Sequence, residues 1–116
     1  MGLFHVAVRV TGPSGRTSTI DALVDTGATL LVLPRSIADD LELVTQYHQA
    51  VQTAGGRKET WPVAEVRLTI DEREVTTPCF IAPGGLPLLG AVALESLFVA
   101  VDPVAKRLVH VEGFVG

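Results

Sequence analysis

Between Leu23 and Ala28 the sequence reads Leu-Val-Asp-Thr-Gly-Ala, which places a carboxylate where an apolar strand meets a glycine turn. The run occurs once in 116 residues. An ionised carboxylate beside that much apolar sequence is costly unless hydrogen-bond donors or a partner group meet it. Any fold of this chain must therefore bring such groups to Asp25. The length suits one domain with one core and is too short for two ordinary lobes, so residues 1–116 are assigned to a single domain. Whatever Asp25 needs must come from that one fold or from its oligomer.

The rest of the chain reads as short strands separated by turn signals. From Leu3 to Val10, Phe4, Val6, Val8 and Val10 fall on one face and His5 and Arg9 on the other, the period of a half-buried strand. Gly12-Pro13-Ser14-Gly15 turns the chain, and Thr17 to Asp25 returns as the second arm of a hairpin. Leu30 to Leu33 is a continuous apolar run, as expected of a strand buried on both faces. Pro34 ends it and opens a helical turn through Ile37, Ala38 and Leu41. Val44 to Thr53 and Glu59 to Ile70 are β-prone stretches flanking Ala54-Gly55-Gly56-Arg57, which predicts a hairpin with a mobile glycine tip.

A polar turn at Asp71-Glu72-Arg73-Glu74 leads into a strand from Val75 to Ala82, which Pro83-Gly84-Gly85 breaks. Leu86-Pro87-Leu88-Leu89-Gly90 precedes a short helix from Ala91 to Leu97. Phe98 to Val101, a turn at Asp102-Pro103 and a strand from Arg107 to Val111 complete the chain. The sequence of apolar strand, glycine and short helix appears faintly twice, at Leu23 to Leu41 and at Leu88 to Leu97. The class expected is mostly β with two short helices.

Bulk properties narrow the function. The net charge is -4, with no cluster of Lys or Arg, so there is no electrostatic footprint for nucleic acid or an anionic membrane. With 47% hydrophobic and 19% charged residues the chain is suited to a packed core rather than to disorder. Cys79 is the single cysteine and lies in the apolar stretch Pro78-Cys79-Phe80-Ile81, where a buried inert thiol is expected. The N-terminus lacks the features of a signal peptide or a myristoylation site, and no apolar run spans a bilayer, so the expected location is a reducing cytoplasm. His5, His48, His110 and Cys79 show no ligand-type spacing, so neither a metal nor an organic cofactor is expected.

Asp25-Thr26-Gly27 alone is a weak signal, since Asp caps turns in most proteins. Its context is more specific: a strand before it, the small Ala28 after it, and Leu88-Leu89-Gly90 with a helix later in the chain. A double-glycine hairpin tip lies between. This set of residues resembles the retropepsin-like aspartic proteases, single-lobe enzymes that include the retroviral proteases. The resemblance covers nearly the whole chain. It implies a closed β-barrel-like lobe with a flap hairpin, acting as a homodimer in which two Asp25 side chains face each other across a two-fold axis.

By that resemblance the reaction is peptide-bond hydrolysis by an activated water. One Asp25 acts as base and its counterpart as acid, sharing one proton because two close carboxylates cannot both be charged cheaply. Thr26 would lock the two loops together, and Gly27 would let a substrate backbone approach. Ala28 is the adjoining small residue. Ala54, Gly55, Gly56 and Arg57 would form the flap that closes over an extended peptide. Leu23, Val32, Leu86, Pro87 and Leu89 are the candidate pocket walls, favouring hydrophobic residues around the cleaved bond. Retroviral members often carry acidic residues after the Ala; here Thr29-Leu30 stands instead, so substrate preference does not transfer. The rival expectation is a catalytically silent lobe that dimerises or binds a peptide without cutting it.

The remaining candidates have simpler readings. Ser36 lacks nucleophile-elbow glycines, and Asp39-Asp40 reads as the solvated face of a short helix. Trp61, the only tryptophan, reads as a core or interface residue rather than a ligand platform.

Overall fold

The computed structural model describes residues 3–116; Met1 and Gly2, which entered the reading of the N-terminus, lie outside the described residues. Within that span the chain forms β1 (His5–Thr11), β2 (Thr17–Val24), β3 (Leu31–Pro34), α1 (Arg35–Asp40), β4 (Tyr47–Gln52) and β5 (Lys58–Ile70). These are followed by β6 (Arg73–Ala82), β7 (Leu88–Leu89), α2 (Ala91–Ser96), β8 (Val99–Asp102) and β9 (Arg107–His110). The fold is mostly β with two short helices, as the turn signals and periodicities predict. No helix among the described residues is long and apolar enough to cross a membrane.

Alternation decides which side chains enter the core. In β1, Val8 and Val10 are buried and Phe4 and Val6 half-buried, while His5, Ala7 and Arg9 are exposed. In β2, Ile20, Ala22 and Val24 are buried opposite them, with Val8 paired to Ile20 and Val6 to Ala22. β3 is buried at every position, which explains its unbroken apolar run. Each fully buried leucine, such as Leu31, Leu33 or Leu68, contributes about 1.5–3 kcal/mol relative to leaving it in water.

The main sheet has seven strands in the order β1-β2-β7-β3-β6-β5-β4, and a further pairing of β1 with β5 closes it into a ring. Only β4 stays outside that closure. β5 is 13 residues long because it serves three neighbours, with Arg67 to Thr69 paired to β1. Val63 to Ile70 pair with β6, whereas Lys58 to Val63 pair with β4. Over residues 58–62 the β4–β5 hairpin is thus an arm extending past the ring. The first of its strands is shorter than the sequence predicts, starting at Tyr47 rather than Val44, because the exposed segment before it leads in from α1.

The two helices repeat one design. α1 follows β3, ends at the buried Leu41 and is followed by Glu42 in the left-handed region (φ 55°). α2 follows β7, ends at the buried Leu97 and is followed by Phe98 at φ 54°. The faint repeat in the sequence is therefore a real structural repeat of strand, short helix and leucine cap. β8 and β9 form a separate two-stranded sheet. Its turn is held by Asp102 Oδ1, which accepts from the amides of Val104 and Ala105 at 3.1 Å each.

Candidate active site

β7 lies between β2 and β3, parallel to the first and antiparallel to the second. The chain leaving β2 must therefore cross over β7 to reach β3, and Asp25 to Leu30 make that crossing. The ladder between β2 and β7 continues past the strand end, with the Leu23 amide donating to Pro87 O and the Asp25 amide to Leu89 O, both at 3.0 Å. The loop then closes on itself. Ala28 N donates to Asp25 O at 3.1 Å, and Gly27 N donates to the Asp25 Oδ1 atom at 3.0 Å. This last bond supplies one of the donors that a carboxylate beside an apolar strand requires.

The helix after β7 braces the loop from beneath. The first amides of α2, from Ala91 and Val92, donate to Ala28 O at 2.8 Å and Thr29 O at 2.9 Å. Such close approach leaves no room for a side chain at Gly90, whose Cβ would run into the Leu30 carbonyl oxygen and lie 2.7 Å from Ala28 O. Leu88-Leu89-Gly90 and the Asp25 loop are thus one mechanical unit, though far apart in sequence.

Asp25 is half-buried on the floor of a cleft of about 550 Å³. Gly27, Ala28 and Thr29 continue the floor, and Val32, Leu88, Phe80 and Trp61 form an apolar wall. Ala50 to Ala54, from β4 and the start of the hairpin tip, line the roof. At the tip Gly56 N donates to Thr53 O at 2.9 Å and Thr53 N to Arg57 O at 2.8 Å. Gly56 has φ +83°, the left-handed position this turn demands and glycine readily adopts.

The residues singled out from sequence distribute as follows. Asp25, Gly27, Ala28, Val32 and Ala54 meet at the cleft. Thr26 is exposed beside it, and Gly55, Gly56 and Arg57 form the exposed turn above it. Leu89 requires correction: it is fully buried in the core, and Leu88 faces the cleft instead. Side chains alternate along a strand, and β7 is fixed between two neighbours, so only one of the two leucines can face each way. Leu23 and Pro87 are half-buried and Leu86 is 61% exposed, outside the walls of this single-chain cleft.

Trp61, Phe80 and Leu88 are cleft residues that the sequence reading missed. Trp61 lies in the cleft wall, its ring edge-on to Phe80 with centroids 6.1 Å apart. The signal available was its place in β5 next to the hairpin tip. Away from the cleft, Cys79 has no exposure, and burial pushes its thiol up to about 12, against a smaller lowering from a hydrogen bond with the Ala64 backbone. It is an inert core residue. Among the described residues no three His, Cys, Asp or Glu side chains gather as metal ligands would.

A family model described as "Aspartyl protease" matches residues 6–93 of the chain. Among solved structures, the chain is similar to EIAV protease complexed with the inhibitor HBY-793. The TM-score is 0.63 at 20% identity, over 80% of this chain and 86% of that one. No curated protein matches the sequence. The family match spans both the Asp25 loop and the Leu88-Leu89-Gly90 segment that braces it. With that, the chain belongs to the aspartyl protease family, and its fold is that of the retroviral proteases.

Proposed function

We propose that the chain is an aspartic endopeptidase whose active site is completed by a second copy, Asp25 of each copy meeting the other across a two-fold axis. The observation that carries this reading is that Asp25 is the one carboxylate among the described residues lining the cleft. A mechanism with a carboxylate base and a carboxylate acid then takes its second group from another chain. The exposed Thr26 beside it is free to contact that chain. Family membership supports peptide-bond hydrolysis, and the solved EIAV protease with its inhibitor supports a ligand-holding cleft in this fold.

In the dimer the two carboxylates share one proton, since close like charges cannot both ionise cheaply. The ionised Asp25 takes a proton from a water as that water attacks the scissile carbonyl carbon. The protonated Asp25 of the other copy gives its proton to the carbonyl oxygen, forming a neutral tetrahedral diol. Collapse of the diol breaks the C–N bond, the protonated carboxyl giving its proton to the leaving amine while the ionised carboxylate takes one from a diol hydroxyl, which restores the shared proton. The Gly27 amide on Oδ1 holds one carboxylate oxygen in place through these steps. An extended peptide is held by main-chain bonds to the β4 edge and the floor.

The test is Asp25→Asn. Wild-type protein is expected to cut a mixed peptide library at mildly acid pH, and the variant to bind peptides without cutting them. Equal behaviour of the two would overturn the enzyme reading. Sedimentation of the purified chain checks the dimer, because a strict monomer holds a single Asp25.

A further inference from the structure

The cleft wall contains a side-chain chain that hydrolysis does not use. Trp61 Nε1 donates to Glu59 Oε1 at 2.8 Å, and the other Glu59 oxygen lies 3.2 Å from Arg57 Nη2. Glu59 and Trp61 lie two apart in β5 and so fall on one face of the hairpin arm, and Arg57 immediately precedes the strand. An indole N–H bonded to a carboxylate is held more firmly than one bonded to a neutral group. The ring it fixes lies edge-on to Phe80, at an interplanar angle of 79°, in the same cleft wall as Val32 and Leu88. Asp25 opens onto that cleft. At the other end Arg57 sits in the exposed tip that would close over a ligand.

We propose that Trp61, with Phe80, selects one large apolar side chain of the bound peptide, and that Glu59 is the positioning residue that sets the indole against it. This rests on reading the cleft as a peptide site. An aromatic or long aliphatic side chain fills the space between the two rings and the aliphatic wall, and aromatic rings favour edge-to-face contact with both. A small side chain at the same peptide position leaves that surface wet. Because Arg57 also holds Glu59, movement of the tip and the shape of the pocket are linked.

The experiment uses a peptide set varied at one position between Phe, Leu and Ala, presented to wild type, Trp61→Ala, Trp61→Phe, Glu59→Ala and Glu59→Gln. Wild type should favour Phe and Leu over Ala by tenfold or more in kcat/KM. Trp61→Ala should reduce that ratio to within about threefold of unity, the loss falling mainly on the Phe and Leu peptides. Glu59→Ala should lower discrimination though it does not touch the peptide. Glu59→Gln, whose amide oxygen still accepts the indole N–H, should restore it. Trp61→Phe keeps a ring, and serves if the alanine variant fails to fold; it should fall between wild type and Glu59→Ala.

Unchanged discrimination in Trp61→Ala or Trp61→Phe would overturn the proposal. So would equal loss for all peptides, the mark of a merely structural role. The same set measured as binding, by fluorescence of Trp61 where it is kept and by anisotropy of labelled peptides otherwise, separates the two readings. Selective binding by a wild type that cuts nothing refutes the peptidase and supports the pocket; unselective binding refutes the pocket.

Discussion

Gly90→Ala tests whether the loop carrying Asp25 is held by the segment after β7. The added Cβ would meet backbone, the Leu30 carbonyl oxygen and carbon and the Ala28 carbonyl oxygen, none of which can rotate away as a side-chain tip does. The start of α2 must retreat, loosening the amide bonds from Ala91 to Ala28 and from Val92 to Thr29. Two weakened hydrogen bonds cost about 0.5–1.5 kcal/mol each, and forcing extra volume into a packed site costs about 1–3 kcal/mol. The expected loss is about 4 kcal/mol, a large part of the 5–15 kcal/mol typical of a domain. Urea unfolding followed by Trp61 fluorescence measures it, with Gly84→Ala as control. Gly84 has nothing within 4 Å of its Cβ position and no positive φ, so that variant should stay within about 0.5 kcal/mol of wild type. Residual folded Gly90→Ala should also hydrolyse peptide more slowly than its folded fraction predicts. Equal stability of the two variants would refute the brace.

Two further expectations follow from particular groups. Burial raises the Cys79 thiol from its ordinary 9.0 to about 12, so folding favours the neutral form. Stability from this source is complete below pH 9 and is lost as pH rises toward 12, by about 4 kcal/mol at the limit for that separation. Cys79→Ala should remove this part of the alkaline slope, and identical slopes from pH 9 upward would disprove it. At the hairpin tip, amide exchange of Gly55 and Gly56 should be fast in the free protein and slow with a bound peptide inhibitor, because the arm over residues 58–62 has β4 as its strand neighbour. Strong protection without ligand would count against a closing flap.

What could be read from sequence was local. The period of two in β1, the unbroken run in β3 and the turn glycines each report their own backbone, and the structure has strands and turns at those places. Asp25 stood out because its surroundings, an apolar strand and a glycine, are its immediate neighbours in the chain. The wall of the cleft is different. Trp61 and Phe80 meet because Val63 pairs with Phe80 across β5 and β6, a register set by the long hairpin rather than by either residue. Leu88 and Leu89 make up a two-residue strand, too short to show a period, so the choice of which one faces the cleft belongs to β2 and β3 on either side.

The site thus joins a floor and a roof of opposite mechanical character. Four backbone bonds tie the crossing loop and the end of β2 to the segment around β7 and α2, all at 2.8–3.0 Å, and Gly90 lets them form. The proposed dyad, in which each carboxylate meets its counterpart at a fixed distance, needs such a floor, since an error of about 1 Å in placement is enough to cost catalysis heavily. For the proposed peptide substrate to enter, the roof has to open. Its contact with the wall runs through Arg57 and Glu59, an ion pair whose arginine side chain is 81% exposed. Exposed pairs contribute about 0–1 kcal/mol, too little to hold the arm shut. Their use is geometric: the pair aims the Glu59 carboxylate at the Trp61 indole without locking the tip, so the arm can move and its movement is felt in the pocket wall.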